Sequence, residues 1–138
     1  MGDIFSKHHT LGILSKSLSA LAQRHKVLAN NIANVDTPGF KRSDVNFQQV
    51  LKRAVESQKQ ESLPLKTTHP QHIPLEEGAA LSVPVIKDTS TTYRKDGNNV
   101  DIEKEIVEIN KNSLLYNATV NFANNEFSLL KHAIEEGR

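Results

Sequence analysis

Both ends of this chain carry apolar residues spaced alternately three and four apart, a pattern that only a helix laid along another helix satisfies over such lengths. Near the N-terminus the positions are Leu11, Leu14, Leu18, Leu21, His25, Leu28, Ile32 and Val35, and only His25 interrupts the apolar seam. Near the C-terminus they are Ile102, Ile106, Ile109, Ser113, Tyr116, Val120, Ala123, Phe127, Leu130 and Ile134. The spacing predicts helices over about 11–35 and 102–134, the second a rod of roughly 50 Å at 1.5 Å per residue. Ordinary globular helices average about 11–12 residues. The first helix is expected to stop before Pro38, since a residue preceding proline avoids the α region, and Asp36-Thr37-Pro38-Gly39 reads as a turn. For the last helix Asp101 is the expected N-cap, with Glu103 and Glu105 complementing the positive helix end. Lys131 and His132 suit its final turns, and Gly137 its end.

A second apolar line on the last helix, Val107, Leu114, Phe122, Leu129 and Ala133, has no evident cover. If the first helix covers the first line, the second stays exposed on a lone chain, and large exposed apolar patches mark interfaces. Residues 37–100 are different material, punctuated by Pro64, Pro70, Pro74 and Pro84. One short helix is expected over about 45–60 through Phe47, Val50, Leu51 and Val55. Short strands or an extended arm follow (81–86 is apolar, 89–93 β-prone), with a charged linker at 58–61 and a turn at Lys95-Asp96-Gly97-Asn98. The expected fold is mainly α: two long terminal helices (1–36 and 101–138) paired as one discontinuous coiled-coil-like domain, with an irregular, partly β middle arm (37–100).

Composition excludes several function classes. With 37% hydrophobic residues, 5% aromatics and no Trp among 138 residues, a thick conventional core is hard to build. A net charge of +1 gives no basic face for nucleic acid. There are no cysteines for disulfides or thiolate metal sites. No apolar run approaches the roughly 18 residues of a membrane span, and residues 1–20 lack the pattern of a secretory signal. His8-His9, near a terminus expected to be loose, and His69-Pro70-Gln71-His72 lack further ligands at zinc spacing. His25 reads as a polar interface residue. Glu76-Glu77 have no second carboxylate site, and Glu103, Glu105, Glu108, Glu135 and Glu136 read as solvated helix faces. Gly78 and Gly97 are isolated turn glycines rather than a phosphate loop, and nothing orients Ser6 and His8 into a nucleophile and its base. No catalytic, cofactor-binding or metal-binding residue is expected, and no small-molecule substrate.

Asparagine is used heavily within the helices: Asn30, Asn31 and Asn34 in the first, Asn117, Asn121, Asn124 and Asn125 in the last. Asn is a mediocre helix former. Two readings stand side by side: solvated faces, or amides that donate and accept between helices and set their register. Ala29, Ala33, Ala118 and Ala123 beside them would let helices approach closely.

The run Leu28-Ala29-Asn30-Asn31-Ile32-Ala33-Asn34-Val35-Asp36-Thr37-Pro38-Gly39-Phe40-Lys41-Arg42 resembles the N-terminal signature of bacterial flagellar rod and hook proteins. The stretches 67–73, 96–105 and 112–137 are similar to the proximal rod members of that family. The likeness covers most of the chain and is weakest over 56–66 and 76–92. It implies a structural subunit that polymerises into a helical rod at the base of the flagellar drive shaft, on the periplasmic side of the inner membrane. It further implies passage through the flagellar type III export apparatus without a cleaved signal peptide. Other rod proteins, a rod-to-ring adaptor and the membrane ring protein would be the neighbours. The residues expected to carry helix packing and assembly are Leu14, Leu18, Leu21, Leu28, Asn30, Asn31, Ile32 and Asn34 on the first helix. On the last they are Ile106, Ile109, Tyr116, Val120, Phe122, Phe127 and Leu130. Asp36, Thr37, Pro38, Gly39 and Phe40 form the motif turn. The two seams would pack on each other within a subunit, the second line would meet neighbours, and both ends of the free subunit would be partly unfolded until assembly. The alternatives are the second proximal rod protein, or a cytoplasmic coiled-coil adaptor or export chaperone.

Overall fold

A computed structural model describes residues 2–59, 83–89 and 94–136, with side chains described for 10–56, 83–89 and 94–136. The expectations placed on 60–82 and 90–93, including the His69/His72 and Glu76-Glu77 pairs and most of the β-prone 89–93 stretch, lie outside these residues, as does Gly137. Five elements follow in order: α1 (Gly2–Ala33), β1 (Ser43–Val45), α2 (Phe47–Lys59), β2 (Val85–Lys87) and α3 (Ile102–Glu136). The expected mainly α architecture is present: two long terminal helices pack on each other, and a small two-stranded piece lies in the middle region. No helix among the described residues is long and apolar enough to cross a membrane.

Local sequence explains each element's ends. α1 begins at Gly2, so the segment around His8-His9 is helical. It ends at Ala33, where the backbone tightens: the Asn34 amide is shared between the Asn30 and Asn31 carbonyls, both at 3.2 Å, and Thr37 N–H donates to Asn34 O at 3.1 Å. Gly39, at φ +71°, takes the left-handed conformation that reverses the chain, and Phe40 N–H closes the turn on Thr37 O. Asp101 caps α3 as expected, its Oδ1 accepting from the amides of Glu103 (3.0 Å) and Lys104 (3.3 Å). The middle helix starts at Phe47, capped by Asn46, whose Oδ1 accepts from Gln49 N–H at 3.0 Å. Its inner stripe is Phe47, Val50, Leu51 and Ala54, with Val50 and Ala54 buried; Val55, expected on that stripe, is exposed because the face turns inward at Ala54. It packs on α1.

β1 and β2 pair antiparallel, with Ser43 opposite Lys87 and Val45 opposite Val85. The core is small and lies at one end of the α1–α3 pair. Ala20, Leu21 and Leu28 of α1 meet Val45, Val50, Ala54 and Val100 there. No apolar side chain of α3 is fully buried; its two buried residues are Glu105 and Asn112.

The seam between the helices is displaced from the apolar one expected. On α1 the inward positions alternate Leu14, Ser17, Leu21, Arg24, Leu28 and Asn31; on α3 they run Glu105, Ile109, Asn112, Tyr116, Thr119, Ala123, Glu126 and Leu130. From Leu14 to Ile32 and from Ile106 to Leu130 every second expected position holds, and the others move back by one residue. Ser17, Arg24 and Asn31 replace Leu18, His25 and Ile32, while Glu105, Asn112, Thr119 and Glu126 replace Ile106, Ser113, Val120 and Phe127. Leu18, Ile32 and Val120 are half-buried at the edge of the seam, and Ile106 and Phe127 are exposed. Neighbouring residues on a helix differ by about 100° in direction, so which of two adjacent residues faces inward depends on what else packs on the helix. Here α2 and β1 press on one flank of α1. That rotation points Arg24 and Asn31 at polar groups able to pair with them.

Candidate assembly interface

At the core end, a junction of buried polar side chains binds the motif turn, the start of the arm and the start of α3. Asn31, completely buried, imitates a strand partner: its Nδ2 donates to Ser43 O at 2.7 Å and its Oδ1 accepts from Ser43 N–H at 3.0 Å. The same amide donates to Glu105 Oε2 at 3.0 Å. The other oxygen of Glu105 accepts from Arg42 Nε. Arg42 also reaches Asp44 Oδ2 at 3.1 Å. Asp44 is gripped in turn by Arg24, through Nε at 2.9 Å and Nη2 at 3.2 Å. Arg24 continues to Glu108 Oε2 at 2.9 Å, and Lys111 ends the chain on Glu108 Oε1 at 2.8 Å. The signs alternate throughout, so no charge in this chain is left uncompensated.

The titration behaviour follows from that alternation. The hydrogen bond to Asp44 raises the Arg24 pKa against the opposing cost of burial. Burial works against the charge on Arg42, but Glu105 and Asp44 more than offset it and the net shift is upward. Burial likewise pushes Asp44 up, yet Arg24, the Val45 amide and Arg42 leave its carboxyl below the ordinary range. Glu108 is held down by Lys111 and then by Arg24.

Two further amides complete the junction. Asn98 is fully buried, and its Nδ2 lies 3.0, 2.9 and 2.9 Å from the carbonyls of Asn34, Val35 and Thr37. It thereby ties the end of α1 and the motif turn to the segment that leads into α3, while its Oδ1 accepts from Val100 N–H at 2.7 Å. Asn99 Oδ1 accepts from Arg42 N–H, and its Nδ2 donates to Asp88 O. Gly97, at φ +82°, brings its turn against the motif turn: Gly39 N–H donates to Asp96 O at 2.9 Å, and a Cβ on Gly97 would meet the Gly39 Cα at 3.7 Å.

The residues expected to carry packing thus separate. Leu21, Leu28 and Asn31 are buried, Leu14, Ile109 and Leu130 are half-buried on the seam, and Tyr116 lies on it partly exposed. Asn30 faces solvent and Asn34 donates back to Asn30 O at 2.8 Å, so neither amide crosses between helices. Asp36, Thr37, Pro38 and Gly39 are exposed on the outside of the turn, and Phe40 is half-buried. Phe122 is 64% exposed. Asn117, Asn121, Asn124 and Asn125 are also exposed. Reading for apolar seams missed Arg24, Arg42, Asp44, Asn98, Asn99, Glu105 and Asn112. The available signal was the adjacent Asn98-Asn99 pair, because two small amides beside a glycine turn are well suited to cap neighbouring backbone.

Beyond the junction, large apolar side chains on α3 face outward: Val107 (49%), Leu114 (71%), Phe127 (59%), Leu129 (54%) and Ile134 (73%) are all exposed. A cleft beside the sheet is lined by Arg24, Arg42, Asp44, Phe47, Ile86 and Leu115, but its two arginines are already committed to carboxylates. Among the described residues no three His, Asp or Glu stand close enough to hold a metal ion.

Residues 13–41 match the family described as flagella basal body rod protein. The chain is 39% identical over 128 residues to the flagellar basal body rod protein FlgB of Aeromonas hydrophila, covering 90% of this chain and 91% of the relative. It is 34% identical over 129 residues to FlgB of Bacillus subtilis (strain 168), covering 94% and 95%. FlgB of Aquifex aeolicus (strain VF5) is 34% identical over 125 residues, covering 91% and 92%. The chain belongs to the FlgB family of flagellar basal body rod proteins.

Proposed function

We propose that the chain is a non-enzymatic structural subunit of the proximal rod, polymerising at the base of the flagellar drive shaft and passing torque through its packed terminal helices. The observation that carries this reading is the inversion of α3, whose buried residues are Glu105 and Asn112 while Leu114, Phe122, Phe127 and Ile134 are exposed. A helix of 35 residues with its large apolar side chains turned outward is built to be covered by neighbours. Heterologous contacts that do not close generate a helical filament. Residues 1–36 and 101–138 act as the rod-core unit and 37–100 as an arm anchored at the junction. The neighbours are further copies, other rod proteins, and the adaptor and ring protein beneath the rod. The subunit reaches the periplasmic side through the flagellar type III apparatus.

The test is electron microscopy of basal bodies from a strain deleted for this gene. Rings without a rod, restored by the intact gene, are the expected result. Complete rods in the deletion strain would sink the proposal and bring a cytoplasmic adaptor to the front.

A further inference from the structure

The α1–α3 pair is covered unequally. On one flank α2 and β1 pack on α1; on the other lies an open groove of about 520 Å3, lined by Ala22 and His25 of α1 and by Asn112, Ser113, Tyr116 and Asn117 of α3. The apolar positions displaced from the seam, Leu18, Ile32, Ile106, Val120 and Phe127, fall on this uncovered flank by helical spacing. The groove also holds an unmatched group. Asn112 is 1% exposed, its Nδ2 donates to Leu21 O at 3.0 Å, and its Oδ1 has no donor. The Leu21 carbonyl fixes that orientation, because a flipped amide would set oxygen against oxygen.

The opposite face of the same helix carries a complementary ridge. Val107, Leu114, Ala118, Asn121 and Asn125 recur at i, i+7, i+11, i+14 and i+18, and all are exposed. Heptad spacing on a ridge matches the spacing of a groove between two helices. Ala118 permits close approach, and Asn121 supplies an amide donor.

We propose that the groove receives the ridge of a second copy of this chain, with Asn121 of the incoming helix donating to Asn112 Oδ1. Asn112 Oδ1 lies beneath the groove surface, so side chains lining the groove shift as the amide enters. Groove and ridge are different faces, so the contact runs head to tail and propagates instead of closing as a dimer. This rests on the reading of the chain as a rod subunit and names the faces that meet.

The chain has no cysteine, so every thiol on it is an engineered one. Ala22→Cys in the groove and Ala118→Cys on the ridge, both at exposed alanines, are placed in one chain in cells lacking the native gene. Mild oxidation of isolated basal bodies is expected to give a ladder of cross-linked copies from the double variant and none from either single variant. Dimers from Ala118→Cys alone would mean that ridge meets ridge, and cross-links only to another rod protein would mean that the occupant is not a second copy; either overturns the proposal. Complete rods without any ladder overturn it too, yet leave the rod assignment standing. Should the double variant build no rod, Ser113→Cys with Ala118→Cys takes the same measurement, and a missing ladder there has the same meaning.

Discussion

The junction end of the helical hairpin and its distal end share one heptad pattern but differ in what holds them. Among the described residues every buried one lies at the junction side: within 17–31 of α1, 45–54 of the middle region and 98–112 around the start of α3. Beyond Asn112 no described residue of α3 is buried, and the positions of α1 from Thr10 to Leu14 are only half-buried. The junction adds to its small apolar core a set of cross-element hydrogen bonds, from Asn31, Asn98, Asn99 and the Arg42–Glu105 pair. The distal end has two helices side by side and nothing behind them among the described residues. Local stability follows burial and internal hydrogen bonding. Both chain termini lie at the distal end, where the free subunit is expected to be partly unfolded.

The sharpest way to break this comparison is one charge in each half. Leu28 is completely buried at the junction, so Leu28→Asp places an unpaired carboxylate among apolar neighbours and should cost at least about 4 kcal/mol. Circular dichroism of the purified variant should show little cooperative folding. A variant that folds normally would mean the junction is not the stable half.

Glu105→Ala removes a fully buried carboxylate that serves Arg42 and Asn31. A loss of about 3 kcal/mol is expected in urea unfolding, at the low end for a broken buried pair because Arg42 keeps Asp44 and some solvent contact. A loss below about 1 kcal/mol would show the network to be dispensable for stability.

Acid should sharpen the contrast further. Asp44 has a folded-state pKa below its unfolded value, so its contribution is present above the unfolded pKa and is lost as pH falls through the lower folded value. Junction stability should therefore be level near neutrality and decline below about pH 4. Amide exchange of residues 20–31 measured across that range reports it, and Asp44→Asn should flatten the profile.

The smallest effect on folding, with the largest on assembly, is expected from Phe127→Asp. Phe127 is 59% exposed, so the monomer should lose no more than about 0.5 kcal/mol while rod formation fails. Normal swimming by this variant would remove the distal face from the assembly surface.

Much of this is legible in the sequence. Two long helices, a stop near Pro38, the Asp101 cap, a turn at Gly97 and an irregular middle all follow from local rules of spacing and capping. The motif turn and the outward second line were visible on the same grounds. The seam was half legible. Leu14, Leu21 and Leu28 faced inward as expected, but Arg24 and Asn31 displaced His25 and Ile32. An apolar residue is the better inward choice only when no polar partner waits inside. The sequence position of Glu105 favours a solvated first-turn acid, yet it is completely buried against Arg42 and Asn31.

What this sequence determined by itself is what depends on neighbours within a few turns: helix length, period, caps, the glycine turns and the family signature. Only the tertiary structure decided which side of each helix faces in. Adjacent residues on a helix point about 100° apart, and the choice between them rests on groups far along the chain, such as Glu105 for Asn31 and Asp44 for Arg24. A seven-residue period runs through the polar line as well as the apolar one, so the period cannot choose between them, and folding alone brings those distant partners together.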